Sequence, residues 1–501
     1  MEVTSNKHGN ILLTIAAEIT EDLVEDDWVC HVRFEVRDMK NGIWQESGKS
    51  STVRMSKFMA WNNEFEFEFE FQTRQPIKLT LFKYLEDENF IVGQALADLR
   101  DLVKNSKTDI SLYDISGAKI GKFAASYSED KGLHQKMIFQ LAGENLADLD
   151  YFDKSDPYYR IYKQAIGDWM FVCESNIITD NLNPKWEPVS LKYSEFCSCN
   201  PESLIKIECF DYDTPTKSDY IGLCIFHARE FVTGASFQLR NPQKSNQLTG
   251  KILVKRSEII EEASFLDYLS NGLKINMSLA IDFTASNGLP MHNNSLHHFS
   301  EVKESEYAQA IRLLGDVLSK YDSDNQIPVF GFGGIPTWMS TSVKHEFSLT
   351  KDETNPCVAD FEQAISLYKS ILPEIELKGP TLFAPIIRRQ LSMFEEKSYT
   401  ILIILTDGDI EDYDETVNLI VEASFKPLSI IIVGVGYENF LRMENLDSDQ
   451  KLLRSKKGKD AVRDIVQFVR FRSFKQSLHY FTEKALEEVP LQLIKYMDMR
   501  R

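Results

Sequence analysis

Between Glu64 and Phe71 the chain reads EFEFEFEF, a two-residue alternation of glutamate and phenylalanine. Side chains alternate across a β-strand, so Phe65, Phe67, Phe69 and Phe71 share one face and the carboxylates share the other. The segment predicts a half-exposed strand of a β-sandwich and sets the class of its surroundings. LTLFKYL (79–85) and FIVGQAL (90–96) read as further strands of the same all-β unit, assigned to residues 8–128.

A similar order recurs over 133–250. KMIFQLAG opens it, a turn carrying NLNPKWEPVS follows, then LIKIECFDYD and YIGLCIF. WNNEFEF in the first copy answers to NPKWEPV in the second, and NFIVGQA to DYIGLCI. These correspondences predict two divergent copies of one unit of about 120 residues, a usual domain size.

The second copy carries an acidic spacing. LADLDYFDKSDPYY places Asp150 and Asp156 six residues apart, and IECFDYDTPTKSDYIG holds Asp211 and Asp213 with Asp219 six residues further on. Aspartate favours turns, which explains one such residue better than five. Carboxylates gathered on two short loops repel one another unless a cation lies between them. Hard oxygen donors in that number suit Ca²⁺, which takes roughly six to eight oxygens.

Past residue 255 the pattern changes. NMSLAIDFTAS (276–286) is an apolar run ending in polar residues, as a buried parallel strand does at its carboxyl edge. SEYAQAIRLLGDVLSKY puts Tyr307, Ile311, Leu314 and Leu318 on one helical face. IPVFGFG (327–333), a helical stretch (360–372), TILIILTDG (400–408), DETVNLIVEA and LSIIIVGVG (428–436) continue the alternation. The expected fold is an α/β doubly wound, Rossmann-type domain over 262–500. Pro490 opens its last helix in this reading, and 251–268 serves as a linker, although FLDYL is apolar for a loose segment.

A second metal signature lies in this region. Asp282, Thr284 and Ser286 end the first strand, Thr381 lies in KGPTLFAPII, and Asp407 closes TILIILTDG. Loops at the carboxyl ends of parallel strands converge at a switch point, so these residues can share one ion. Helix capping by the hydroxyls is the competing explanation. GFGGIP (331–336) has no accompanying lysine-bearing phosphate loop and reads as a glycine turn. His297 and His298 lie in a polar loop without a Ser or Cys partner and read as solvated.

A net charge of −20 opposes nucleic-acid binding, and opposes anionic membranes unless a cation reverses the local sign. The seven scattered cysteines read as reduced thiols, with Cys197 and Cys199 the only close pair. No apolar run approaches ~18 residues, and no secretory signal or lipidation box is expected at either end.

DLDYFDKSDP and DYDTPTKSD resemble loops 1 and 3 of the C2 domain, an all-β sandwich that binds phospholipid with calcium. The resemblance implies calcium ligation by Asp150, Asp156, Asp211, Asp213 and Asp219, with Tyr151, Phe152 and Pro215 at the membrane-facing tips. The first copy departs from it. EDLVEDDWV is shortened but keeps Asp26 and Asp27, and FKYLEDENF has Lys83 and Leu85 where the Asp-x-Asp pair belongs. Glu86, Asp87 and Glu88 are out of register, so this copy is expected to bind little or no calcium. The C-terminal set resembles the metal-ion-dependent adhesion site of von Willebrand factor A domains, implying Mg²⁺ or Mn²⁺ at Asp282, Thr284, Ser286, Thr381 and Asp407.

The module order, with FLDYL, AIDFTASNG, YDSDNQIPVFGFG, GPTLFAPII, SIIIVGVG and RDIVQFVRF, resembles that of the copines. The resemblance implies two C2 sandwiches followed by a vWA-like domain. It also implies a non-enzymatic cytoplasmic protein that moves to the plasma membrane or other membranes with calcium. Anionic phospholipid and protein partners of the vWA-like domain would be its ligands. A calcium-independent scaffold and a phosphotransferase are the alternatives.

Overall fold

The computed structural model describes residues 8–24, 28–39, 41–85, 88–104, 107–129, 135–149, 154–165, 168–214, 217–394, 398–447 and 451–500. They form two compact units, Met1–Glu129 with Phe265–Arg501, and Asp130–Ser264.

The alternating phenylalanines organise the first sandwich. They lie on and just past strand Phe58–Glu70, where Phe65, Phe67, Phe69 and Phe71 are 7, 5, 2 and 1% exposed. Glu64, Glu66 and Glu68 face solvent. The Phe65 ring lies 4.0 Å from that of Phe34 on strand Val29–Arg37, in the facing layer. The nine-stranded sheet is antiparallel, and one of its junctions rests on a single residue pair, Gln94 with Tyr113. There the sheet divides into the two layers of the sandwich.

Asp130–Ser264 repeats this plan with eight strands, and its narrow junction is the pair Leu223 with Arg240. Apart from the two-residue strand Val53–Arg54, the strand order is the same in both sheets. The duplication read in the sequence therefore extends to topology. Trp186 of the NPKWEPV turn is fully buried against Tyr159, and its indole N–H donates to the Pro157 carbonyl at 3.0 Å.

In the C-terminal domain, strands Ile327–Phe332, Lys274–Asp282, Ser398–Thr406, Leu428–Gly434 and Val466–Arg470 run parallel in that spatial order. In chain order this is 2-1-3-4-5, a doubly wound arrangement. Successive residues feed opposite cores. Leu279, Ile281, Ile403 and Ile431 pack with helices Glu306–Leu318 and Phe361–Ile371. Ala280, Leu402, Ile404 and Ile432 pack with helices Ala384–Ser392 and Tyr413–Ala423. Tyr307, Ile311, Leu314 and Leu318 are all fully buried, as their helical spacing predicts. Pro490 lies in the first turn of helix Val489–Asp498.

One reading changes. The stretch 251–268 is ordered secondary structure, with only residues 262–264 between strand Gln247–Glu261 and helix Phe265–Ser270. Ile252 and Val254 belong to the second sandwich core, and Phe265 and Leu266 are buried in the other unit. Burial of these side chains holds both elements in place.

Candidate metal centres

In the second sandwich, three adjacent strands bring the acidic residues together. Asp211 and Asp213 lie on Leu204–Thr214, Asp219 lies on Lys217–His227, and Asp156 immediately precedes Pro157–Ala165. The register sets Asp211 opposite both Pro157 and Asp219. Asp211 has no exposed surface. Its Oδ1 accepts the Asp156 N–H at 2.6 Å, and its Oδ2 is buried without a hydrogen-bond partner among the described residues. Burial pushes this carboxyl above the ordinary range; Ser155 and the Asp156 N–H oppose that, while the charges on Asp213 and Asp156 add to it. An orphaned carboxylate oxygen among other carboxylates fits a hard cation.

Asp180 joins this cluster, which the loop spacing did not suggest. Its N–H donates to Asp156 Oδ1 at 2.7 Å, and its own Oδ1 accepts the Lys154 N–H at 3.0 Å. Its left-handed backbone, φ 51°, marks the tight turn in ITDNLNP that brings it there. Asp150, Tyr151, Phe152 and Pro215 lie outside the described residues.

The same register locates the corresponding positions in the first sandwich. Lys83 stands opposite Cys30 and Phe90, as Asp211 stands opposite Pro157 and Asp219. Val29, one residue before Cys30, takes the place of Asp156. The Lys83 ammonium lies 4.2 Å from the Trp28 ring centre, and Trp28 meets Phe90 edge-on at 5.6 Å. Valine, lysine and phenylalanine thus replace three aspartates. Asp26, Asp27, Glu86 and Asp87 lie outside the described residues.

The C-terminal set gathers where the strand order reverses. Asp282 ends its strand fully buried; its Oδ1 accepts the Thr284 N–H at 2.8 Å and its Oδ2 the Thr406 hydroxyl at 2.6 Å. Asp407 Oδ1 accepts from the Ser286 hydroxyl at 2.9 Å and the Asn287 amide at 3.1 Å, with the Thr284 hydroxyl at 3.4 Å. Thr381 is buried, and its Oγ1 would lie 3.8 Å from a Cβ placed on Gly408. Burial pushes Asp282 up to about 6 and Asp407 up to about 7, the Asp282 charge adding to the latter. Two crowded carboxylates with three hydroxyls form a donor set that fits Mg²⁺ or Mn²⁺.

Asn287 and Thr406, which lie inside the quoted motifs but were not singled out, support this set together with Tyr307 from the following helix. The Tyr307 hydroxyl donates to Asn287 Oδ1 at 2.8 Å, orienting the amide that holds Asp407. Gly333 is the glycine turn expected in GFGGIP: its φ is 75°, and a Cβ there would lie 2.4 Å from Thr284 Cγ2.

His297 is not solvated. It is fully buried, with Nδ1 2.6 Å from the Tyr368 hydroxyl and its ring stacked between Phe283 and Tyr307. The polar loop folds inward because these aromatic surfaces cover the imidazole, and burial drives its pKa down to about 3. His298 is half-buried, with Nδ1 3.0 Å from the Pro290 carbonyl.

The C2 domain family matches residues 27–113 and 135–245, and the Copine family matches 295–501. Copine-E of Dictyostelium discoideum is 37% identical over 424 residues, 82% of this chain and 72% of that protein. Among solved structures, BON1-C2B aligns at TM-score 0.24 and 23% identity over 26% of this chain and 95% of its own. The calcium-bound tandem C2 domains of Extended-Synaptotagmin 2 align at TM-score 0.22 and 16% identity, over 51% of this chain and 98% of their own. With two C2 matches ahead of a Copine match, and identity of this extent to Copine-E, the chain belongs to the copine family.

Proposed function

We propose that this copine is a calcium-dependent phospholipid-binding adaptor without catalytic activity. It waits in the cytosol and reaches the plasma membrane or other membranes through its second sandwich. The proposed division is 8–128, 133–250 and 262–500, the last a vWA-like domain that recruits protein partners. Asp150, Asp156, Asp211, Asp213 and Asp219 are the proposed calcium ligands. Tyr151, Phe152 and Pro215 are the proposed membrane contacts.

The buried, half-satisfied Asp211 among acidic neighbours carries this reading, since it leaves an acidic tip whose charge a cation would reverse. Bound calcium supplies positive charge that lipid phosphates can share. The protein's part is to hold the carboxylates in place, with Asp156 fixed by the Asp180 N–H and Asp211 by the Asp156 N–H. In the C-terminal domain, Asp282, Thr284, Ser286, Thr381 and Asp407 are the proposed Mg²⁺ or Mn²⁺ ligands, and a partner's carboxylate would complete the shell.

Sedimentation with anionic vesicles, in calcium and in chelator, tests the reading. Wild type should sediment only with calcium, and Asp211→Asn with Asp213→Asn should remain in the supernatant. Wild-type sedimentation that persists in chelator would favour the calcium-independent scaffold.

A further inference from the structure

We propose that the first sandwich serves as a permanently docked structural partner of the C-terminal α/β domain, leaving membrane targeting to the second sandwich. Arg100, in helix Leu99–Lys104, is 1% exposed. Its guanidinium grips Asp98 through two contacts, Nη2 to Oδ2 at 2.7 Å and Nε to Oδ1 at 2.8 Å. Its Nη1 donates to the carbonyls of Asp316 and Val317, both at 3.1 Å, in the last turn of helix Glu306–Leu318. Carbonyls at a helix end have no partner within the helix and carry its negative pole, so a cation completes them. Undocking would leave the Asp98–Arg100 pair within the first sandwich but break both Nη1 bonds to the helix-end carbonyls together.

The surrounding contacts agree. Lys320 pairs with Asp101 at 3.0 Å. Phe71, last of the alternating rings, packs against Phe265 at 5.0 Å and Tyr321 at 4.4 Å, and its carbonyl accepts the Tyr321 hydroxyl at 3.3 Å. One continuous hydrophobic cluster includes the core of the first sandwich and one face of the parallel sheet.

The second sandwich provides an internal comparison. Arg229 stands seven residues past Gly222, as Arg100 stands seven past Gly93. Arg229 is exposed and pairs with Glu202 of its own sandwich. The same residue at the same place is a surface group in one copy and a buried clamp in the other. Independently, Val29, Lys83 and Phe90 occupy the positions that hold Asp156, Asp211 and Asp219 in the second copy.

Hydrogen exchange of the full chain in mild denaturant tests docking, and vesicle binding tests the assignment of membrane contact. Amides of strands Pro76–Leu85 and Lys274–Asp282 should open together, with one denaturant slope, as a single cooperative unit. Arg100→Gln should speed both at least tenfold, and Tyr321→Phe should speed both to a smaller extent, with strand Leu204–Thr214 unchanged. If Arg100→Gln does not fold, the wild-type slopes and Tyr321→Phe still decide. Separate opening of the two strands, or acceleration confined to the first sandwich, would overturn docking. Lys83→Glu with Phe90→Ala should leave calcium-driven vesicle binding within twofold; a tenfold loss would overturn the assignment of membrane contact to the second sandwich.

Discussion

A carboxylate with no exposed surface and one unpartnered oxygen destabilises a fold that holds no cation beside it. Asp211 is such a group, so its neutral amide should relieve strain and end the calcium response. In thermal melts, Asp211→Asn should melt about 3 °C or more above wild type in chelator and gain nothing from calcium. A lower melting temperature in chelator would contradict this account of the residue. At the other centre, Tyr307→Phe strands the buried Asn287 Oδ1, at a cost of about 1–3 kcal/mol. It should weaken Mg²⁺ binding roughly tenfold in calorimetric titration, the usual scale for a residue that orients a ligand. His31 gives a pH prediction. It is buried, and its pKa is pushed down to about 4 by burial first and then by Lys49 and Arg33. The fold binds the neutral ring, so His31 contributes stability that is present above the ordinary value near 6.5 and is lost as pH falls through about 4. Melts from pH 7 to 4 should therefore fall less steeply for His31→Phe than for wild type.

At the level of single elements, periodicity carried most of the fold. The Glu-Phe alternation, the apolar parallel strands and the Tyr307–Leu318 stripe each state a burial pattern that local geometry must honour. Of the acidic spacing, the nearness of Asp211, Asp213 and Asp219 was legible for a similar reason, because these residues lie on two adjacent antiparallel strands. Asp180, Asn287 and Thr406 were not legible. Asp180 reaches its centre from a neighbouring loop, while Asn287 and Thr406 stand next to Ser286 and Asp407 but act across the centre, on Asp407 and Asp282, which only tertiary packing sets beside them. His297 and the 251–268 stretch were misread for a related cause. Polarity of the flanking residues hid an imidazole enclosed by rings, and a run next to a module boundary proved to supply buried residues to both units. Gly333 shows how narrowly one turn can constrain a centre. Gly333→Ala would combine a left-handed backbone with contact against Thr284, costing about 2 kcal/mol or more. Denaturant melts should register that loss, and Mg²⁺ should restore less stability to the variant than to wild type.

Across the whole chain, a net charge of −20 opposes contact with anionic surfaces unless a cation changes the local sign. The two sandwiches share a topology but differ at the loop positions that matter. One presents aspartates; the other presents valine, lysine and phenylalanine. The described residues contain no helix long and apolar enough to cross a membrane. In the proposed function, calcium gates membrane contact through the second sandwich. Hydrogen exchange of the full chain on anionic vesicles, with calcium and with chelator, tests it most directly. With calcium, protection should rise in peptides containing Asp156, Asp180 and Asp211 to Asp219, stay unchanged around Lys83 and Phe90, and vanish in chelator. Protection that survives in chelator, or that centres on Lys83 and Phe90, would contradict it.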